Sequence, residues 1–120
     1  MSDKSILEST KKLLGLPEDY DAFDTDVMIH INSVFSTLHQ LGVGPQDPFT
    51  IEGSEETWGM FIEDQTKIQS VKTYVYLRVR LLFDPPAHAF LLTAVQDQIK
   101  ELEWRLMAQA EEGRVVQNGT

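Results

Sequence analysis

Two long apolar-periodic runs separated by Asp84-Pro85-Pro86 set the limits on this fold. Proline lacks a backbone donor and steers the residue before it out of the helical region, so no helix crosses this tripeptide. On its N-terminal side, Val71, Tyr74, Val75, Leu77, Val79, Leu81 and Leu82 cover more than one helix face. A helix apolar around that much of its circumference is expected to lie centrally. Its β-branched content permits a strand, but a run of about 17 residues is far longer than strands usually are. On the C-terminal side, Leu91, Val95, Ile99, Leu102 and Leu106 form one stripe of a helix expected from Ala87 to about Glu111. That helix would be the longest, about 37 Å at 1.5 Å per residue. Phe90, Trp104 and Met107 lie off the stripe and need a second surface.

The rest of the chain also reads as helix. Asp3 to Leu14 carries a rough stripe of Ile6, Leu7, Leu13 and Leu14, with Ser2 or Asp3 as cap and Gly15 and Pro17 as stop. From Asp24 or Thr25 to Leu41, Val27, Ile31, Val34, Leu38 and Leu41 recur every three or four residues, and Gly42 and Gly44-Pro45 end the run. Residues 43–53 are irregular, with Phe49-Thr50-Ile51 a candidate short extended segment. Ser54 caps a short helix over about residues 55–63, and Asp64 or Thr66 opens the central helix that ends near Phe83. The expectation is an all-α, compact bundle of about five helices over residues 1–112. Residues 113–120 are expected to form a flexible C-terminal tail, ordered on assembly if at all.

Charge narrows the function. The net charge is −9, and residues 1–64 hold 13 acidic and 3 basic side chains against 6 and 7 in residues 65–120. A protein that grips DNA presents a basic surface, which this chain lacks. It has no Cys, hence no disulfide, thiolate ligand or thiol nucleophile. No basic leader with an apolar run opens the sequence, and no stretch reaches membrane-spanning length. The expectation is a soluble chain made in the cytoplasm, with no membrane partner.

No catalytic constellation is visible. His30 follows Asp26 by four residues, but His39 and His88 lie apart and no HExxH pattern occurs, so solvated histidines are expected rather than a metal site. Glu18, Asp19, Asp21, Asp24 and Asp26 lack the spacing and central Gly of an EF-hand and read as a solvated, helix-capping acidic loop. Gly42-Val43-Gly44-Pro45 lacks phosphate-loop spacing. No catalytic residue, metal or cofactor is assigned. Trp104, Arg105 and Met107, near the end of the long helix, are of interface-anchoring types, although Trp104 could equally cap the intramolecular core. Val115-Val116 could add to a partner's sheet edge.

Several segments in order resemble the head-to-tail connector (adaptor, or head completion) proteins of tailed bacteriophages. They are Phe23-Asp24-Thr25-Asp26 leading into Ile29-His30-Ile31-Asn32-Ser33-Val34-Phe35, then Leu41-Gly42-Val43-Gly44-Pro45, then Thr57-Trp58 with Phe61-Ile62. The run from Val71 to Pro86, with Tyr74-Val75-Tyr76-Leu77-Arg78-Val79-Arg80 at its centre, and Glu103-Trp104-Arg105-Leu106 complete the set. The resemblance implies a structural virion protein at the head-tail junction. It implies a ring, typically dodecameric, beneath the portal that extends the DNA channel and meets a head-closure or tail-proximal protein. By the same resemblance, portal contact falls to Trp104, Arg105, Met107, Arg114, Val115 and Val116. An acidic channel wall would let DNA pass without sticking. Its candidates are Glu18, Asp19 and Asp21, or Gln46, Asp47, Glu52, Glu55 and Glu56. The competing expectation is a small acidic helical binding module, such as a phage-encoded inhibitor of a host protein.

Overall fold

A computed structural model describes the backbone of residues 4–118 and the side chains of residues 4–112. Its helices are α1 (Ile6–Leu13), α2 (Asp24–Gln40), α3 (Trp58–Phe61), α4 (Gln65–Phe83) and α5 (Ala89–Asn118), and no named strand occurs among the described residues. The all-α expectation holds.

Helix α4 is the hub. It packs against α2 on one side and α5 on the other, and α1 closes over α2 and α4. Val71, Tyr74, Val75 and Val79 are fully buried, as a helix apolar on several faces requires. From α2, Val27, Ile31, Val34, Phe35 and Leu38 enter the same core. Helix α5 contributes Val95, Ile99, Leu102 and Leu106. Leu91, placed on that stripe from sequence, is instead 45% exposed in the first turn of α5, one turn before the buried stripe begins. The molecule spans 49 × 35 × 23 Å. Its longest dimension matches a 30-residue helix of about 45 Å.

The stops fall where glycine allows them. After α2, Gly42 has φ +84°, its N–H donates to His39 O, and the Val43 N–H reaches back to Leu38 O. This is a Schellman closure with Val43 buried as its apolar partner, and α1 ends in the same way. Gly44 meets a different demand. A Cβ there would sit 2.6 Å from two ring atoms of Phe61, so only hydrogen fits.

Three boundaries differ from expectation. Helix α1 starts at Ile6 with Ser5 as its cap, the Glu8 N–H donating to Ser5 Oγ; Ser2 and Asp3 lie outside the described residues. Helix α3 is only Trp58–Phe61, because residues 56–58 exchange backbone bonds with the entry to α1. The Ile6 N–H donates to Glu56 O and the Trp58 N–H to Lys4 O, which commits that stretch to a bridge. Helix α5 starts at Ala89 and continues past Glu111 and Gly113 to Asn118. A helical glycine costs about 1 kcal/mol relative to alanine, too little to stop a long helix that does not turn left-handed there. Ile51, within the candidate extended segment, has no strand partner. The Asn32 side chain serves both its backbone groups, accepting from Ile51 N at 2.7 Å and donating to Ile51 O at 3.0 Å.

Candidate assembly surfaces

The outward face of α5 departs from an ordinary core-and-shell arrangement. Trp104 is 66% exposed and Phe90 79%, and both lie on the side of α5 away from α4. Met107 and Leu91 add exposed apolar area. The alternative in which Trp104 caps the internal core is therefore excluded. Arg105 is held beside it by Glu101, at 2.9 Å across one helical turn. Arg114, Val115 and Val116 lie on the helical continuation of α5, and their side chains fall outside the described residues.

A polar junction fixes α5 to α4. The Tyr74 hydroxyl donates to Glu103 at 2.6 Å, and Arg78 bonds the same carboxylate oxygen at 3.2 Å. Sequence reading missed this junction, because only the packing of α5 on α4 brings Glu103 to Tyr74. Burial first, then the hydrogen bond to Glu103, pushes the Tyr74 phenol well above its ordinary value of 10.0, with Arg78 pulling the other way. The fold thus holds the neutral phenol, whereas an unfolded tyrosine ionises near pH 10. This contribution is complete below pH 10 and is lost as pH rises above it. We expect Tyr74→Phe to fall less steeply in stability than the wild type above pH 10, measured by urea unfolding across that range.

The acidic candidates are at the surface. Glu18, Asp19 and Asp21 are exposed, as are Gln46, Asp47, Glu52 and Glu55. Glu56 is half-buried, its carboxylate accepting from the Glu52 N–H at 2.8 Å. Asp24 departs from the solvated expectation. It pairs at 2.8 Å with Lys11, which is only 2% exposed and also donates to Glu18 O at 3.2 Å. The arrangement ties the acidic loop to α1, and no periodicity signalled it. Among the described residues no group of three or more His, Cys, Asp or Glu could hold a metal, and no helix is long and apolar enough to cross a membrane. His39 Nε2 lies 3.1 Å from Gln46 O, and His30 lines a shallow groove with Phe23, Leu82 and Phe83.

The family described as Phage connector protein matches residues 6–113, nearly the whole chain. The chain belongs to this family. No curated protein and no solved structure matches it. As a phage connector, the chain has a structural role at the junction of head and tail. Membership implies contacts with portal and tail proteins and a place in the virion. The inhibitor alternative has no comparable support. The connector is also all-helical, and its exposed face on α5 is the kind of surface a joining protein must keep uncovered until it meets its partners.

Proposed function

We propose that this connector forms a closed ring, dodecameric by family resemblance, directly beneath the portal, and that the ring extends the DNA channel toward a head-closure or tail-proximal protein. The observation that carries the proposal is the second apolar face of α5. Trp104 and Phe90 stand largely exposed, off the buried stripe of α5, in a family whose members join other proteins. Aromatic and Arg side chains dominate binding energy where they become desolvated. Trp104, Arg105 and Met107 are therefore assigned to the portal contact, continued by Arg114, Val115 and Val116 on the same helix.

A ring of identical chains closes through unlike faces, one side of a subunit meeting a different side of its neighbour. The uneven charge of the chain suits such a contact. In the lumen we place acidic segments, from Glu18, Asp19 and Asp21 or from Gln46, Asp47, Glu52, Glu55 and Glu56, all but Glu56 exposed. Carboxylates there repel the phosphate backbone and keep it mobile. The DNA contact needs no sequence preference, and the proposal involves no catalysis, cofactor or metal.

The portal assignment is tested with the portal protein of the same phage. We expect Trp104→Ala to weaken binding about thirty-fold, the effect of a 2 kcal/mol hot-spot residue. Thermal stability should change little, because this side chain is outside the core. Unchanged binding would remove Trp104 from the contact.

A further inference from the structure

Helix α4 carries four cations, Lys67, Lys72, Arg78 and Arg80, and no acidic residue, in a protein whose net charge is −9. Among the described residues, only Arg78 has a carboxylate within ion-pair distance. Lys72 and Arg80 sit on one stripe with Tyr76 between them, at a spacing of four residues, and span about 12 Å along the helix. All three are half-buried. Arg80 donates to the Tyr76 hydroxyl at 3.3 Å, and Lys72 lies 5.9 Å from the centre of the Trp58 ring, so both cations are held by neutral aromatic partners. No other helix carries two cations on one stripe without a carboxylate partner among the described residues.

The complementary feature is the loop Glu18-Asp19-Tyr20-Asp21, whose carboxylates are exposed. Its backbone is fixed by the Lys11 bond to Glu18 O and the Tyr20 N–H bond to Pro17 O, and its aromatics stack edge to face as Tyr20 on Phe23 and Phe23 on Phe83. Copies this acidic repel one another at a distance. A contact between them needs a place where opposite charges meet, and the α4 stripe and this loop supply it.

We propose that the Lys72–Tyr76–Arg80 stripe of one subunit receives the Glu18–Asp21 loop of the next copy. The inference rests on the ring reading above and names its subunit contact. It assigns the Glu18–Asp21 loop to the seam between subunits and leaves the lumen to residues 46–56. Such a contact is heterologous and can close a ring.

The chain contains no Cys, so introduced thiols are unique. Particles are produced from a mixture of Asp19→Cys and Tyr76→Cys chains, purified and mildly oxidised. The expected result is a disulfide-linked dimer containing one chain of each kind, absent when either variant is used alone. In a second arm, Lys72→Glu/Arg80→Glu on the Tyr76→Cys chain abolishes the mixed dimer. Adding Glu18→Lys/Asp21→Lys to the Asp19→Cys chain restores it, which a folding defect would not permit. Absence of the mixed dimer, or no rescue by the second reversal, overturns the contact. The ring reading is judged separately by whether the wild-type chain is present in purified particles. Its presence without the mixed dimer leaves the ring and removes this seam, whereas its absence removes both.

Discussion

Replacing Trp58 by Ala is expected to destabilise the connector by about 3 to 5 kcal/mol, the range for deleting a large buried aromatic. A domain of this size has about 5 to 15 kcal/mol in total, so the variant should melt at least about 10 °C lower. The effect is large because Trp58 joins elements distant in sequence. Its ring is 2% exposed and packs edge-on against Phe35, at 6.3 Å between centroids. Phe35 in turn stacks on Phe61 and meets Phe49, so one aromatic cluster joins α2, α3 and the irregular segment. The indole N–H donates to Ser9 Oγ at 2.8 Å, which anchors α1 to the same point. Trp58→Phe retains most of the packing and loses this bond, so it should cost about 1 to 2 kcal/mol more than a neutral surface change. Equal losses for the two variants in chemical unfolding would show that the packing is not what matters.

Asp24→Ala should cost about 3 kcal/mol, because it leaves the Lys11 ammonium buried with only a carbonyl to face. The lower end of the range for one-sided removal of a buried pair applies, since Asp24 keeps 28% of its side chain exposed. The partners are not equivalent. Lys11→Met removes the buried charge and fills the same space with apolar atoms, and it leaves Asp24 at the first turn of α2, where the helix dipole favours a carboxylate. We therefore expect Lys11→Met to cost less than Asp24→Ala, because the carboxylate it leaves is 28% exposed, although its Oδ1 is buried. The double variant should be close to Lys11→Met alone. A larger loss from Lys11→Met than from Asp24→Ala would contradict this account of the pair.

What the sequence disclosed and what it hid follow the range of the interactions. Helix periods and their breaks are local, so α2, α4 and the stops at Gly42 and Asp84-Pro85-Pro86 can be read directly. That Phe90, Trp104 and Met107 lie off the core stripe is also local, and their exposure follows from it. The bonds that fix the irregular parts are not local. Asn32 serves Ile51 from 19 residues away, and Trp58 reaches Ser9 across 49. The short α3 reflects a backbone exchange with residues 4–6 that no pattern within 54–63 announces. Lys11 looks like a surface residue by type and becomes a buried one only when Asp24 and Glu18 O close around it. The end of α5 is not legible locally, because Gly113 marks a stop only where the chain turns left-handed, and α5 runs on to Asn118.

For assembly, the decisive quantity is where unsatisfied surface remains. The α4 junction through Tyr74, Arg78 and Glu103 sets the orientation of α5, so the outward face with Trp104 is presented by a braced helix. Presentation of this kind lowers the ordering cost of binding.

A reconstruction of the particle neck decides whether this chain builds a ring there. We expect a closed ring of its copies in the layer below the portal, with the Trp104 side of α5 buried against it and an acidic segment facing the channel. A neck layer built without this chain, or a ring whose Trp104 side faces solvent all round, would contradict it.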